Sequence, residues 1–190
     1  MYFKGQELRS YYNKHNASSV EALNESSQVK IANFAFDSAI SYDIFLSNRF
    51  VDKETVSGLA MILRDVFKLS VYIDWEDNLD RNNVNKETAD IIRERLDSCK
   101  CLLYVASENA AASKWMPWEV GYMDGKTGKV AICPIVETSK RFEGREYLSL
   151  YPYITRQNSS NGCDCLWVND SPDVYVNLKQ WLKGDEPYKH

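Results

Sequence analysis

The stretch LLYVAS at residues 102–107 contains five consecutive apolar or aromatic residues and then a serine. An uninterrupted apolar run of this length is typical of a parallel strand that helices cover on both faces. The segments on either side have helical spacing, and Asn85 and Ser113 stand where each helix would need a cap. The stretch therefore predicts the centre of an α/β fold, with one helix before the strand and another after it.

Four further segments have the short apolar pattern of strands. They lie at 42–47, 71–73, 130–136 and 165–168. Helical patterns separate most of them, with Asp52 as the predicted cap of the helix after the first strand and Ser171 at the start of a last helix. Residues 137–164 are predicted to be irregular. This alternation implies right-handed crossovers and a parallel sheet, whose ligand site lies beyond the carboxyl ends of the strands.

The composition limits the classes of partner. The chain has 190 residues and a net charge of −4, which suits one domain and disfavours nucleic acid, because phosphate binding needs a basic face. No apolar run approaches a membrane span, and residues 1–5 turn polar at once, so we expect a cytoplasmic protein with no membrane partner. The five cysteines are expected to be free thiols in the core, and no metal site is expected.

Four motifs in order resemble those of one family. The segment YDIFLS at 42–47 resembles the opening strand of Toll/interleukin-1 receptor (TIR) domains, and VYID at 71–74 resembles their second strand with its terminal aspartate. LLYVAS resembles the third strand, and SKWMPWE at 113–119 resembles the family's serine, tryptophan and glutamate segment. Four matches in the right order are far more specific than any one alone, so the chain is identified as a member of the TIR family.

The resemblance implies an α/β, flavodoxin-like fold of three layers around a central parallel sheet of five strands. It places the TIR domain at residues 41–185 and leaves residues 1–40 as an N-terminal extension packed on it. Because the chain is short and stands alone, it is similar to the signal-producing TIR proteins of bacterial Thoeris anti-phage systems. Such proteins associate with one another through TIR–TIR contacts, and a downstream effector senses the product.

TIR enzymes cleave NAD between nicotinamide and ribose, and some close the product into a cyclic ADP-ribose. The resemblance implies that Glu119 is the catalytic residue and that NAD is a substrate, with no cofactor. The chemistry is compatible with one carboxylate, because nicotinamide leaves from a cationic ring and positive charge then builds on the ribose. Trp115 lies four residues earlier, on the same helix face, where its indole is a candidate wall for the substrate.

Four more residues are candidates for substrate binding. Arg49 is a candidate to contact a phosphate or position a ribose, with a surface salt bridge as the plainer alternative. Trp75 is a candidate for a second wall of the site. Asp74 would accept from a ribose hydroxyl or only brace its loop. Ser47 would contact the substrate or satisfy backbone groups at the end of its strand.

Two other functions fit the same sequence. One is a scaffold that acts by TIR–TIR association and performs no chemistry. The other is a nucleoside deoxyribosyltransferase, an enzyme of related fold that uses a nucleophilic glutamate. The pairing of Trp115 with Glu119 favours the NAD-cleaving enzyme over the scaffold, because a scaffold has no need of that pair.

Overall fold

A computed structural model describes residues 1–23, 41–73, 85–137 and 146–190, with side chains described outside 17–23 and 146–147. The strands and helices in chain order are β1 (Phe3–Lys4), α1 (Gly5–Leu23), β2 (Tyr42–Ser47), α2 (Lys53–Asp65), β3 (Val71–Tyr72), α3 (Lys86–Asp97), β4 (Cys99–Ala106), α4 (Trp115–Thr127), β5 (Val130–Val136), β6 (Tyr153–Asn158), β7 (Asp164–Ser171), β8 (Val174–Asn177), α5 (Leu178–Trp181) and β9 (Tyr188–Lys189). Short 3₁₀ turns lie at Phe50–Asp52, Ala110–Ala112 and Glu146–Leu150.

The strands of the described residues form one mixed sheet in the order β3-β2-β4-β5-β6-β7-β8-β9, and β1 pairs with β5. The pairings from β3 to β6 are all parallel, as is that of β1 with β5, and the pairings from β6 to β9 are antiparallel. The predicted α/β fold with a largely parallel central sheet is confirmed. The parallel run β3-β2-β4-β5-β6 has the five strands predicted, and antiparallel strands and β1 extend the described sheet to nine.

Helices cover the two faces of the sheet and make three layers. Alternate residues of a strand point to opposite faces, so Leu46 and Leu103 join the apolar core under α1, α2 and α5. Phe45 and Leu102 join a second core under α3 and α4. Both faces of β2 and β4 are therefore buried, as the continuous apolar run of residues 102–106 predicts.

The helix caps predicted from the sequence are confirmed around β4. The Asn85 side chain accepts a hydrogen bond from the backbone N–H of Thr88 at 2.8 Å, which begins α3. The Ser113 hydroxyl accepts from the backbone N–H of Met116 at 3.2 Å, which begins α4. Gly128 ends α4 with φ of 64°, the left-handed conformation that favours glycine.

The C-terminal part of the fold differs from the prediction. The predicted last helix from Ser171 is wrong over Val174–Asn177, which forms strand β8, and only Leu178–Trp181 is helical. Val174–Asn177 instead pairs antiparallel with β7, and of its four residues only Val176 is buried. The stretch after residue 137 that was predicted to be irregular contains strand β6. The predicted fifth strand at 165–168 lies within β7, and β7 runs antiparallel to β6. Apolar spacing alone does not separate a short strand pair from a helix of this length.

The N-terminal residues belong to the same packed structure. Strand β1 pairs with β5, and helix α1 packs against α2. The two helices approach closely at Gly58, where a Cβ atom would overlap the backbone of Leu8. The predicted boundary at residue 40 lies outside the described residues, so the division into an extension and a domain stays a prediction.

The cysteines have two different environments. Cys99, Cys101 and Cys133 are buried, and burial raises the pKa of the Cys133 thiol to about 12. These three fill the core as predicted. Cys163 is exposed and Cys165 is half-buried, so the prediction of a core position is wrong for this pair. All five are free thiols. None of the described helices is both long enough and apolar enough to cross a membrane.

Candidate active site

The structure brings Ser47 and Glu119 together. Ser47 is the last residue of β2, and Glu119 lies in the second turn of α4. The Ser47 hydroxyl donates a hydrogen bond to Oε2 of Glu119 at 2.6 Å, and both residues are fully buried. A carboxylate is rarely buried unless its oxygens have partners. This pair is therefore a specific contact between a strand end and a helix.

Helix α4 is oriented by its apolar side. Met116, Val120 and Met123 are each at most 1% exposed and pack against the sheet. Their spacing of three and four residues fixes the rotation of the helix. That rotation directs Glu119 toward the end of β2, although a glutamate at this place costs burial energy that a further apolar residue would not.

Trp115 lies one helical turn before Glu119, about 6 Å along the axis. Its indole is 6% exposed and meets the Trp118 ring edge-on, with the ring centroids 5.6 Å apart. A cavity of about 340 Å³ opens beside the two indoles, and Asn85, Ala89 and Lys114 complete its described lining. Glu119 is not among the described lining residues. The Trp115 indole therefore does face a hollow, whereas the carboxylate is covered.

The remaining predicted site residues divide into two groups. Arg49 is half-buried after β2, and its Nη1 donates to the backbone carbonyl of Asn109 at 3.2 Å. It thus links the loop after β2 with the loop after β4. Asp74 and Trp75 lie outside the described residues.

A polar network that was not predicted joins the same two loops. The Asp52 carboxylate accepts from the Ser107 hydroxyl at 2.6 Å and from the Asn109 side-chain amide at 2.7 Å. Asp52 stands at the N-cap of α2 but makes no side-chain cap bond, so the predicted capping role is wrong. The carboxylate bonds to two donors from the loop after β4 instead of to the backbone N–H groups at the start of α2. Polar residues at the ends of neighbouring parallel strands were the signal for this network.

Removing the Asp52 carboxylate should loosen these loops. We expect Asp52→Ala to lower the free energy of unfolding by about 1–3 kcal/mol, because two donors lose their acceptor. Urea denaturation followed by circular dichroism measures this. Asp52→Asn is the matched variant: its side-chain oxygen still accepts from Asn109 and the Ser107 hydroxyl can rotate to accept, so a smaller loss is expected. Equal free energies of unfolding for Asp52→Ala and the wild type would show that the network does not stabilise the fold.

Comparison with known proteins identifies the family of the chain. A relative from Bacillus cereus (strain MSX-D12), named "Probable 3' cyclic ADP-D-ribose synthase ThsB'", is 43% identical over 153 residues. Those residues cover 78% of this chain and 79% of that protein. The chain belongs to the Thoeris-type TIR proteins.

A second relative agrees with this placement over a shorter length. The protein named "Putative cyclic ADP-D-ribose synthase TIR2" from Cytobacillus dafuensis is 26% identical over 106 residues, which cover 54% of this chain and 27% of that protein. No protein-family model matches the chain. In this TIR protein α4 carries both Glu119, which is bonded to the Ser47 hydroxyl, and Trp115, which lines the cavity. The two α4 residues are one helical turn apart.

Proposed function

We propose that this TIR protein cleaves NAD between nicotinamide and ribose and closes the remainder into a cyclic ADP-ribose. The observation that carries the proposal is the fully buried Glu119 carboxylate, held by the Ser47 hydroxyl at 2.6 Å. The names of both relatives, which are cyclic ADP-D-ribose synthases, support the cyclic product. They do not favour a scaffold without chemistry.

The proposed reaction needs no acid at the leaving group. The bond between the ribose C1′ and the pyridinium nitrogen breaks, and its electron pair leaves with nicotinamide, which becomes neutral. Positive charge develops on the ribose, and the fully buried Glu119 carboxylate stabilises it, an interaction that is stronger where water is excluded. A hydroxyl of the same molecule then bonds to C1′ and releases its proton to the carboxylate or to solvent. Capture by water instead gives linear ADP-ribose, the nucleosidase outcome.

The other candidates would prepare this step. The Ser47 hydroxyl holds Oε2 of Glu119 by a hydrogen bond. The position of Oε1 would therefore also be fixed before the substrate binds. Arg49 would contact a phosphate, and the Trp115 indole would exclude water beside the ribose. Since Glu119 is fully buried, the ribose reaches it only after the surrounding structure moves. We therefore propose that the conformation with Glu119 covered is the resting state.

Incubating the pure protein with NAD tests the proposal. Nicotinamide release measured by chromatography, and the mass of the nucleotide product, are the two readouts. A product lighter than ADP-ribose by one water is expected, because ring closure replaces hydrolysis. Base exchange on deoxynucleosides without nicotinamide release would instead assign the chain to the deoxyribosyltransferases.

We further propose that self-association raises the activity. Phe50 and Val51, immediately after Arg49, are 66% and 65% exposed and offer apolar surface next to the candidate site. The specific activity per molecule is expected to rise with protein concentration, together with the particle mass in light scattering. Rates strictly proportional to concentration, from a protein that scatters only as a monomer, would contradict this.

In the cell, we propose that the protein acts in the cytoplasm in anti-phage defence and that a downstream effector senses its product. The Thoeris-type family membership supports this role. Infected cells that express the wild type, but not a Glu119→Gln variant, should accumulate the cyclic nucleotide. Equal accumulation in both would remove this chain as its source.

A further inference from the structure

The first residues of the chain reach the edge of the sheet at which the candidate site lies. Strand β1 runs parallel to β5 with Lys4 opposite Val136, so both strands end at the same edge. Helix α1 begins there at Gly5, and Glu137 is the first residue after β5. A Cβ atom at Gly5 would overlap the Glu137 carboxylate, so this side chain lies directly against the first turn of α1, whose dipole stabilises a negative charge. Helix α1 is therefore anchored at the carboxyl edge of the sheet.

Arg9 links this edge to helix α2. Its guanidinium forms two parallel hydrogen bonds with Glu137, from Nη1 to Oε1 at 2.8 Å and from Nη2 to Oε2 at 2.7 Å. The same Nη1 donates to the buried Thr55 hydroxyl, in the first turn of α2, at 3.2 Å. The hydrogen bond from Arg9 lowers the pKa of Glu137. Most surface ion pairs stabilise little, but two-pronged pairs of arginine with a carboxylate are the stronger kind. We call Arg9, Glu137 and Thr55 the rim clamp.

The rim clamp holds one end of the segment that follows Ser47. Residues 48–52 join Ser47 to α2, and the Ser47 hydroxyl is bonded to Glu119. The loop after β4 binds two side chains of this segment, and the clamp holds the next turn of the chain through Thr55. The segment attached to the hydrogen-bond partner of Glu119 is thus fixed from two sides. Contacts that fix it oppose the movement by which Glu119 becomes uncovered.

We propose that Arg9 is a positioning residue that keeps Glu119 covered in the resting protein, by fixing the first turn of α2 against the end of β5; the proposal rests on the NAD-cleaving function and the resting state proposed above. Arg9 acts through Glu137 and Thr55 rather than by contact with the substrate. Releasing the clamp makes residues 48–52 easier to move and increases the fraction of molecules in which Glu119 is uncovered. The apparent efficiency with NAD rises with that fraction.

Breaking the ion pair from either side tests the proposal. Arg9→Met and Glu137→Gln each remove one of its two charges and keep an unbranched side chain. We expect kcat/KM for NAD, measured by nicotinamide release, to rise about threefold or more in each variant. The double variant should rise no further than the larger single effect, because both changes break one contact. An unchanged or lower kcat/KM in both single variants would overturn the proposal, since a contact that only stabilises the fold gives that result.

Two further variants sharpen this test. Arg9→Lys keeps the charge but loses the planar fork, so its kcat/KM should lie between those of the wild type and Arg9→Met. Lys4→Met is the matched control, because it removes a positive charge from another ion pair of the N-terminal segment. Lys4 Nζ lies 3.4 Å from Oε1 of Glu7, and both side chains are exposed. Lys4→Met should leave kcat/KM unchanged, and a rise as large as that of Arg9→Met would reject the clamp in favour of a general charge effect.

Hydrogen exchange separates the clamp from the reaction. Backbone amides of residues 48–58 should exchange faster in Arg9→Met than in the wild type, and at the wild-type rate in Lys4→Met. If the wild type releases no nicotinamide, the proposed function is wrong, and the exchange rates still decide whether Arg9 holds this segment. Faster exchange with an unchanged kcat/KM in an active protein would reject the role in the reaction alone. Unchanged exchange in Arg9→Met would show that the clamp does not restrain the segment.

Discussion

Glu119→Gln is expected to reduce nicotinamide release from NAD by about a thousandfold or more, because the charge that stabilises the ribose cation is lost. Glutamine has the same length, and its side-chain oxygen accepts from the Ser47 hydroxyl as Oε2 does at 2.6 Å in the wild type. The fold should therefore persist while the chemistry stops. Nicotinamide measured under saturating NAD gives kcat, and thermal unfolding checks the fold.

Glu108→Gln is the matched control for this change. Glu108 is exposed in the loop after β4, so the same loss of one negative charge should leave nicotinamide release within twofold of the wild type. Activity of Glu119→Gln close to that of the wild type would remove Glu119 from the mechanism. A Glu119→Gln protein that unfolds at a much lower temperature would mean that the carboxylate serves the core, and Glu119→Asp would then separate the two roles.

The parallel half of the fold was predictable because its signals are local. The continuous apolar strands and the caps at Asn85 and Ser113 can each be identified from a few neighbouring residues, and the structure has them all. The C-terminal half was not predictable in the same way. Val174–Asn177 becomes a strand because β7 is already there to pair with it, and this pairing is not visible in the local apolar spacing.

The candidate site was predictable only in part. Motif resemblance pointed to Glu119 and Ser47, but nothing in the sequence indicated that they share a hydrogen bond across 72 positions. The Asp52 carboxylate looked like a helix cap because its neighbours in the sequence are helical. Its actual donors, Ser107 and Asn109, come from a loop that only the folded sheet brings near. The cavity beside Trp118 likewise depends on how α3 packs against α4.

Gly58→Ala should have the largest effect on stability of any conservative change in α2. In an open helix this substitution stabilises by about 1 kcal/mol. At Gly58 the added methyl would overlap the backbone carbonyl of Leu8, and a backbone atom cannot rotate away as a side chain can. Overpacking of this kind costs about 1–3 kcal/mol and occasionally more. We expect the clash to exceed the helical gain and the free energy of unfolding to fall by about 2 kcal/mol.

Gly125→Ala is the same substitution in α4, where nothing lies within 4 Å of the added methyl. It should raise the free energy of unfolding by about 0.5 kcal/mol, because alanine restricts the unfolded chain and favours the helix. Urea denaturation measures the free energy of unfolding of both variants. A decrease for Gly58→Ala and an increase for Gly125→Ala would show that the backbones of α1 and α2 are in contact at Gly58. If Gly58→Ala were as stabilising as Gly125→Ala, α1 would not be packed there in solution, and the N-terminal residues would be an appendage rather than part of the core.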